Sequence, residues 1–126
     1  ASKDGTSQKR FRATSIRPKR FVNVSGGPLL KAGTPVAYDT SIDKWKAFDN
    51  AGSNGVNLIR GFVWPNDIQL DASDDVLGNV MISGTVHRDD VELNGQTQNN
   101  VDAALVGGSP SLRELGIEVE GVTKVR

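Results

Sequence analysis

The side chains best suited to acid–base chemistry lie together in the stretch TVHRDDV, residues 85–91. His87 is the only histidine of the chain, and Asp89 and Asp90 follow it closely. A histidine that is oriented by a carboxylate acts as a general base when a nucleophile or a metal lies beside it. The sequence marks neither group nearby. We therefore expect His87 and Asp89 to meet water at the end of a β-strand, and we predict no catalytic residues and no enzyme.

Other residue patterns bear on metal and cofactor binding. Adjacent carboxylates occur at Asp74 and Asp75, but the ligand spacing of an EF-hand loop is absent, so a solvated turn is expected. The glycine-rich stretches lack the lysine of a phosphate-binding loop. The chain contains no cysteine, which excludes disulfides and thiolate zinc sites. The sequence therefore predicts no metal and no cofactor.

The distribution of charge gives a stronger indication of function. Residues 1–24 contain seven basic residues and one acidic residue, a net charge of +6, whereas residues 25–126 contain eight basic and fourteen acidic residues, a net charge of −6. Because the first segment has few large apolar side chains, we predict that residues 1–24 form a basic arm that is disordered in the free protein. Three roles are consistent with such an arm. Its cations favour binding to nucleic acid. Its cations together with RFVNV, which can add a strand to an open sheet edge, favour docking on a protein surface. The third alternative is a solvated tail that only increases solubility.

The elements that follow this arm predict a mainly β domain over residues 25–126, with one or two short helices late in the chain. LLKAGTPVAYDTSIDKWKAFD, residues 29–49, has the pattern of a β-hairpin, and VNLIRGFVW and VLGNVMISGTV predict buried strands. NNVDAALV and SPSLREL predict the helices, with Asn99 or Asn100 and then Ser109 as N-terminal caps. IEVEGVTKV alternates as a half-buried strand does.

The length and hydropathy of the chain limit the class of protein that it can represent. At 126 residues the chain fits one domain. No apolar run has the length needed to cross a membrane, and the first residues have no hydrophobic signal core. We expect a soluble protein that is made in a cytosol and has no membrane partner.

The run from LLKAGT to HRDDV resembles the head decoration proteins of tailed bacteriophages, the lambda D-like family. The similarity is carried by Ala32-Gly33-Thr34, by the hairpin through Trp45, by Gly61-Phe62-Val63 and by Gly84-Thr85-Val86. The later VDAALVGGSPSLRELGIEVEG is similar to the helix-then-strand ending of many relatives. The resemblance covers about residues 29–120, and each of its motifs is short.

The resemblance implies a β-clip or β-tulip domain that binds the outside of an icosahedral phage head. Such proteins form homotrimers at three-fold axes, contact the major capsid protein and stabilise the expanded shell against the pressure of packaged DNA. The implied location is the outer surface of the virion, after synthesis in the cytoplasm of the host bacterium. The family's arm becomes a strand on the capsid. For residues 1–24, the resemblance favours protein docking over the alternative of a small nucleic-acid-binding module.

The candidate docking residues belong to the arm, and the candidates for the contact between subunits are aromatic. We expect aromatic side chains at subunit contacts because they are enriched at interfaces. Ordinary core packing is the alternative for each aromatic residue, since large aromatics dominate protein cores. The capsid-binding candidates are Arg10, Phe11, Arg12, Arg17, Lys19, Arg20, Phe21 and Val22, and the subunit-interface candidates are Trp45, Phe48 and Trp64.

Overall fold

The part of the chain that the structure describes folds into a six-stranded mixed sheet, a two-stranded sheet and two short helices. The computed structural model describes residues 9–121. The prediction of a mainly β fold with one or two short helices is confirmed. The strands are β1 (Arg12–Phe21), β2 (Leu29–Leu30), β3 (Pro35–Asp39), β4 (Lys44–Ala47), β5 (Gly61–Val63), β6 (Ile68–Gln69), β7 (Val76–His87) and β8 (Ile117–Glu120), and the helices are α1 (Gln98–Val106) and α2 (Leu112–Leu115), with a 3₁₀ turn at Arg88–Asp90.

The large sheet closes on itself through its first strand. Its strand order is β1-β4-β3-β5-β7-β8, and β1 also pairs with β7. The β1–β7 pair is antiparallel and runs from Arg12 opposite Thr85 to Phe21 opposite Val76. β4 meets β1 only at the pair of Phe21 with Trp45. β8 lies parallel to β7 and extends the sheet on the side of β7 that faces away from β1.

The hairpin predicted over residues 29–49 is formed by β3 and β4, which pair antiparallel with Tyr38 opposite Trp45. The predicted kink before it is a turn at residues 31–34, where Gly33 has a φ of +97° and donates its N–H to the Val63 carbonyl at 2.6 Å. Glycine adopts this left-handed conformation without the steric cost that a Cβ brings. This turn attaches the hairpin to β5.

Strand β7 is central because it pairs with β1, β5 and β8. Gly84 lies where β1 and β7 approach most closely, with a φ of +134°. A Cβ at this position would overlap the carbonyl oxygen of Arg12, so only glycine fits. Two register shifts in the β1–β7 pair follow this point along β1, between Ala13 and Ser15 and between Ser15 and Ile16. Close backbone approach and bulges at one place are typical of a strand that bends sharply.

Two apolar clusters lie on opposite sides of the β5–β7 pair. Phe62 is opposite Met81, and Val63 is opposite Val80. The first pair belongs to one cluster and the second pair to the other. Successive residues of a strand point to opposite faces, so this central pair contributes to both cores. Helices α1 and α2 cover the Phe62 side.

The helices begin at caps other than the predicted ones. The Thr97 hydroxyl accepts the Asn100 N–H at 3.1 Å and begins α1. Ser111 begins α2 in a capping box with Glu114, in which each side chain accepts the backbone N–H of the other residue. The caps predicted from the sequence, Asn99 or Asn100 and Ser109, are wrong because the N-terminal N–H groups are satisfied from Thr97 and Ser111 instead.

Candidate functional site on strand β1

Strand β1 contains 10 of the residues in the predicted arm, and the arm spans residues 1–24. The sequence separates residues 1–24 from the domain, whereas the structure places Arg12–Phe21 in the main sheet against β7. The stretch RFVNV was expected to form a strand if a sheet edge were offered to it. β7 of the same chain offers an edge, but the strand that pairs with it runs from Arg12 to Phe21, so it includes only the first two residues of RFVNV. Residues 1–8 lie outside the described residues, and disorder of residues 1–24 in the free protein stays a prediction.

Two carboxylates hold the residues that precede β1. The backbone N–H and the Nε of Arg10 donate to Asp90 Oδ2 at 2.7 and 2.9 Å. The Asp90 side chain is fully buried, while more than half of the Arg10 side chain is exposed. The hydrogen bond to Asp90 raises the pKa of the Arg10 guanidinium. Lys9 Nζ lies 2.8 Å from Glu92 Oε2. These contacts fix the start of β1, so Arg10 has a structural role besides any docking role.

The two phenylalanines that were predicted to dock are core residues. Phe11 is 7% exposed and stacks on Trp64 with a centroid distance of 4.7 Å. It also meets the Phe62 ring edge-on at 5.7 Å. Phe21 is 0% exposed and belongs to the second cluster. In this conformation neither side chain reaches a partner surface, because each packs inward at one end of β1.

The exposed side chains of β1 combine cations with apolar groups. Ile16 and Arg20 are exposed on one face of β1, beside Leu77 of β7, which lies directly opposite Arg20 and is 67% exposed, while Arg17 is exposed on the opposite face. We name this set the basic–apolar surface. Within the described part of the chain, neither arginine forms a salt bridge. Unpaired guanidinium groups beside apolar side chains are typical of surfaces that bind a carboxylate-bearing partner.

Half of the other lysine and arginine side chains among the described residues form salt bridges with carboxylates, namely Lys9, Arg10, Lys44, Lys46 and Arg88. Lys44 Nζ lies 2.7 Å from Asp75 Oδ2, and this contact lowers the pKa of Asp75. Lys46 Nζ lies 3.0 Å from Asp39 Oδ2. The predicted solvated turn at Asp74 and Asp75 is therefore partly an ion-pair site. The basic–apolar surface differs from these sites because its two arginines, which form no salt bridge among the described residues, lie on one strand together with exposed apolar side chains.

Lys19 and Val22, the remaining arm candidates, contact Trp45. Lys19 Nζ lies 5.4 Å from the centroid of the Trp45 ring, a cation–π geometry. The Val22 N–H donates to the Trp45 carbonyl at 3.2 Å. The Trp45 ring also packs against Tyr38 at 6.0 Å. Lys19 and Val22 therefore join β1 to the hairpin, and both are half-buried.

The subunit-interface candidates divide into one buried and two half-buried residues. Phe48 is 2% exposed and belongs to the Phe62 cluster, which confirms the core alternative for Phe48 and Phe62. Trp45 and Trp64 are half-buried. Their role in a contact between subunits stays a prediction.

His87 caps the 3₁₀ turn in the structure. Its Nδ1 accepts the Asp89 N–H at 3.2 Å, while the Asp89 carboxylate lies 3.9 Å away. That carboxylate instead accepts a hydrogen bond from Arg88 at 2.8 Å, which lowers the pKa of Asp89. Arg88 also forms a two-point pair with Asp102 of α1 at 2.9 and 2.8 Å. These groups attach the end of β7 to α1, and the carboxylate that would orient a catalytic histidine is engaged elsewhere.

The described residues offer few features for other site types. Residues 9–121 contain no group of three or more histidine, cysteine or acidic side chains arranged to hold a metal ion. In the same part of the chain, neither helix is long and apolar enough to cross a bilayer.

No family model matches the chain, and no curated protein matches it. The resemblance to head decoration proteins therefore rests on the short motifs themselves. In the structure these motifs form the turn before β3, strand β5 and the bend of β7 at Gly84. They lie in the elements that close the sheet.

Proposed function

We propose that this chain is a capsid decoration protein of a tailed phage. It binds the major capsid protein on the outer surface of the expanded head, as trimers at three-fold axes, and stabilises the shell against internal DNA pressure. The observation that carries the proposal is the basic–apolar surface of β1 and β7, whose arginines form no salt bridge among the described residues. The motif resemblance and the mainly β fold support it, and the β-clip or β-tulip assignment belongs to the same proposal.

The physical requirements of a decoration protein fit such a surface. A protein that binds a symmetric shell gains avidity when linked copies engage together, so each contact can be weak. Arg17 and Arg20 supply charge-assisted hydrogen bonds to carboxylates, and Leu77 and Ile16 supply apolar area that is lost to water on binding. Because β1 is already part of the sheet, docking through this face requires little additional ordering of the backbone.

The alternative is a small nucleic-acid-binding module that uses the same arginines. Base stacking by the arm would need Phe11 and Phe21, and both are buried. The cations of the hairpin, Lys44 and Lys46, are paired with carboxylates and do not extend the surface for a phosphate backbone. These contacts favour a protein partner over nucleic acid.

The test is sedimentation of the protein with expanded, DNA-free heads that lack decoration, with free duplex DNA as a separate arm. We expect saturable binding at a number of copies set by the three-fold axes, and heads that withstand higher temperature when saturated. Binding to duplex DNA with a steep salt dependence, and none to heads, would replace the proposal with the nucleic-acid module.

A further inference from the structure

The large sheet has two open edges that carry opposite charge. Among the described residues, no strand pairs with the outer edge of β8 or with the second edge of β1 between Arg12 and Arg20. The two strands lie on opposite sides of β7, since Thr85 is opposite Arg12 on one side and opposite Glu118 on the other. One row across the sheet therefore reads Arg12, Thr85, Glu118.

Both charged ends of this row are available to a partner. Arg12 and Glu118 are exposed, and neither forms a salt bridge within residues 9–121. A cleft of about 470 Å³ adjoins the row, with Arg12, Thr85 and Glu120 in its lining. The basic edge of one copy of the chain is therefore complementary in charge to the acidic edge of a second copy.

We propose that the partner of these edges is a second copy of this chain, with β8 of one copy pairing with β1 of the next. The row then continues from Glu118 of one copy to Arg12 of its neighbour. Adjacent strands lie about 4.8 Å apart, so the carboxylate and the guanidinium become cross-strand neighbours. This inference deepens the proposed function and rests on it, because the trimer of that proposal requires a contact between copies.

The strand directions define the geometry of this contact. β1 is antiparallel to β7, and β8 is parallel to β7, so β8 and β1 run in opposite directions. A rotation axis along the strands preserves these directions, which makes the new pair antiparallel. Such a head-to-tail contact is heterologous, and it produces a ring when the rotation closes.

The extent of the contact is limited by proline. Pro18 has no N–H to donate, so the available edge of β1 ends before it. The stretch that starts at Arg12 is then comparable in length to the four residues of β8. The basic–apolar surface uses Ile16 to Arg20 and Leu77, and the self-contact uses the beginning of β1. One copy can therefore contact its neighbour and the shell together.

The absence of cysteine from the chain allows a direct test by disulfide trapping. The double variant Arg12→Cys/Glu118→Cys is incubated at high protein concentration with oxidised glutathione and analysed by non-reducing electrophoresis and light scattering. Within one copy the two positions are separated by two strand spacings, about 10 Å, beyond the reach of a disulfide. We expect covalent trimers that dissociate into single chains when a reducing agent breaks the disulfides.

Matched variants distinguish cross-linking through a specific contact from cross-linking by random collision between chains. The single variants and the pair Arg20→Cys/Glu118→Cys are expected to cross-link at least tenfold more slowly, because Arg20 lies beyond Pro18. Circular dichroism before oxidation verifies that each variant is folded. Equal rates for the two pairs would overturn the proposal, and efficient dimers from a single variant would replace it with a two-fold contact.

The outcome is independent of the head-binding experiment because heads are absent from it. Cross-linked trimers together with no binding to heads would retain the self-contact and reject the capsid function. Head binding with cross-linking no faster than in the control pair would retain the capsid function and reject this contact.

Discussion

Replacement of Phe11 by alanine tests whether β1 is an integral part of the folded domain. Phe11 is 7% exposed and touches both Trp64 and Phe62. Truncation of a buried phenylalanine to alanine costs about 3–5 kcal/mol through lost burial and the cavity that remains. Domains of this size have a total stability of about 5–15 kcal/mol. We therefore expect Phe11→Ala to remove a large part of the free energy of unfolding.

The assay is equilibrium unfolding in urea, followed by far-ultraviolet circular dichroism because the substitution alters the environment of Trp64. The matched control is Arg17→Ala, an exposed residue within β1, which we expect to change stability by no more than about 0.5 kcal/mol. A loss for Phe11→Ala as small as that of the control would refute the placement of β1 in the core. It would support an arm that is disordered in the free protein.

Three further predictions concern local features of the fold. Gly84→Ala is expected to destabilise the folded protein by more than about 1 kcal/mol in thermal unfolding, because its Cβ would overlap the Arg12 carbonyl oxygen. The control is Gly26→Ala, which also has a positive φ but has open space around it and should cost less. Equal losses for the two variants would contradict the steric overlap at Gly84. The Ser41 hydroxyl and Lys46 lower the pKa of Asp39 to about 2. The pKa of Asp39 is lower in the folded chain than the unfolded value of about 3.9, so ionised Asp39 stabilises the fold above that pH. This stabilisation is lost as the pH falls toward 2. Asp39→Asn should therefore reduce the pH dependence of the unfolding temperature over this range. An unchanged slope would contradict the assignment. Ser111→Ala removes the α2 cap and should cost about 1 kcal/mol in urea unfolding, whereas no loss would show that the capping box is not formed in solution.

The parts of the fold that the sequence predicts are those encoded locally. The β3–β4 hairpin follows from apolar stretches on both sides of a polar turn, and β7 follows from an apolar run with two glycines. The capping box at Ser111 was also readable, since Glu114 follows it at the required spacing. Ser109 was preferred because Pro110 favours a first helical position, and this local preference did not decide where the helix begins.

The pairing of β1 with β7 could not be predicted because its partner residues are distant in sequence. A basic segment with isolated Phe11 and Phe21 has the composition of a disordered arm, and only the structure shows that each ring enters a core. Arg12, Arg17 and Arg20 of this segment are exposed in the structure, and their capsid-binding role stays a prediction. Leu77, which completes the basic–apolar surface, was missed because its strand was read as an apolar run interrupted by Gly78 and Gly84. The signal that could have found it is Asn79, a polar residue two positions later on the same face of the strand, and both residues are exposed.

The most direct test of the proposed function compares head binding by the wild-type protein with that of Arg17→Glu/Arg20→Glu. Both residues are exposed, so the fold is expected to remain intact. The control is a double charge reversal away from β1, Lys31→Glu/Arg113→Glu, at two other exposed positions. Affinity for expanded heads without decoration is measured by sedimentation at constant salt. The account predicts at least a tenfold loss for the β1 variant and little change for the control. Equal affinities for the wild-type protein and the β1 variant would contradict docking through this surface.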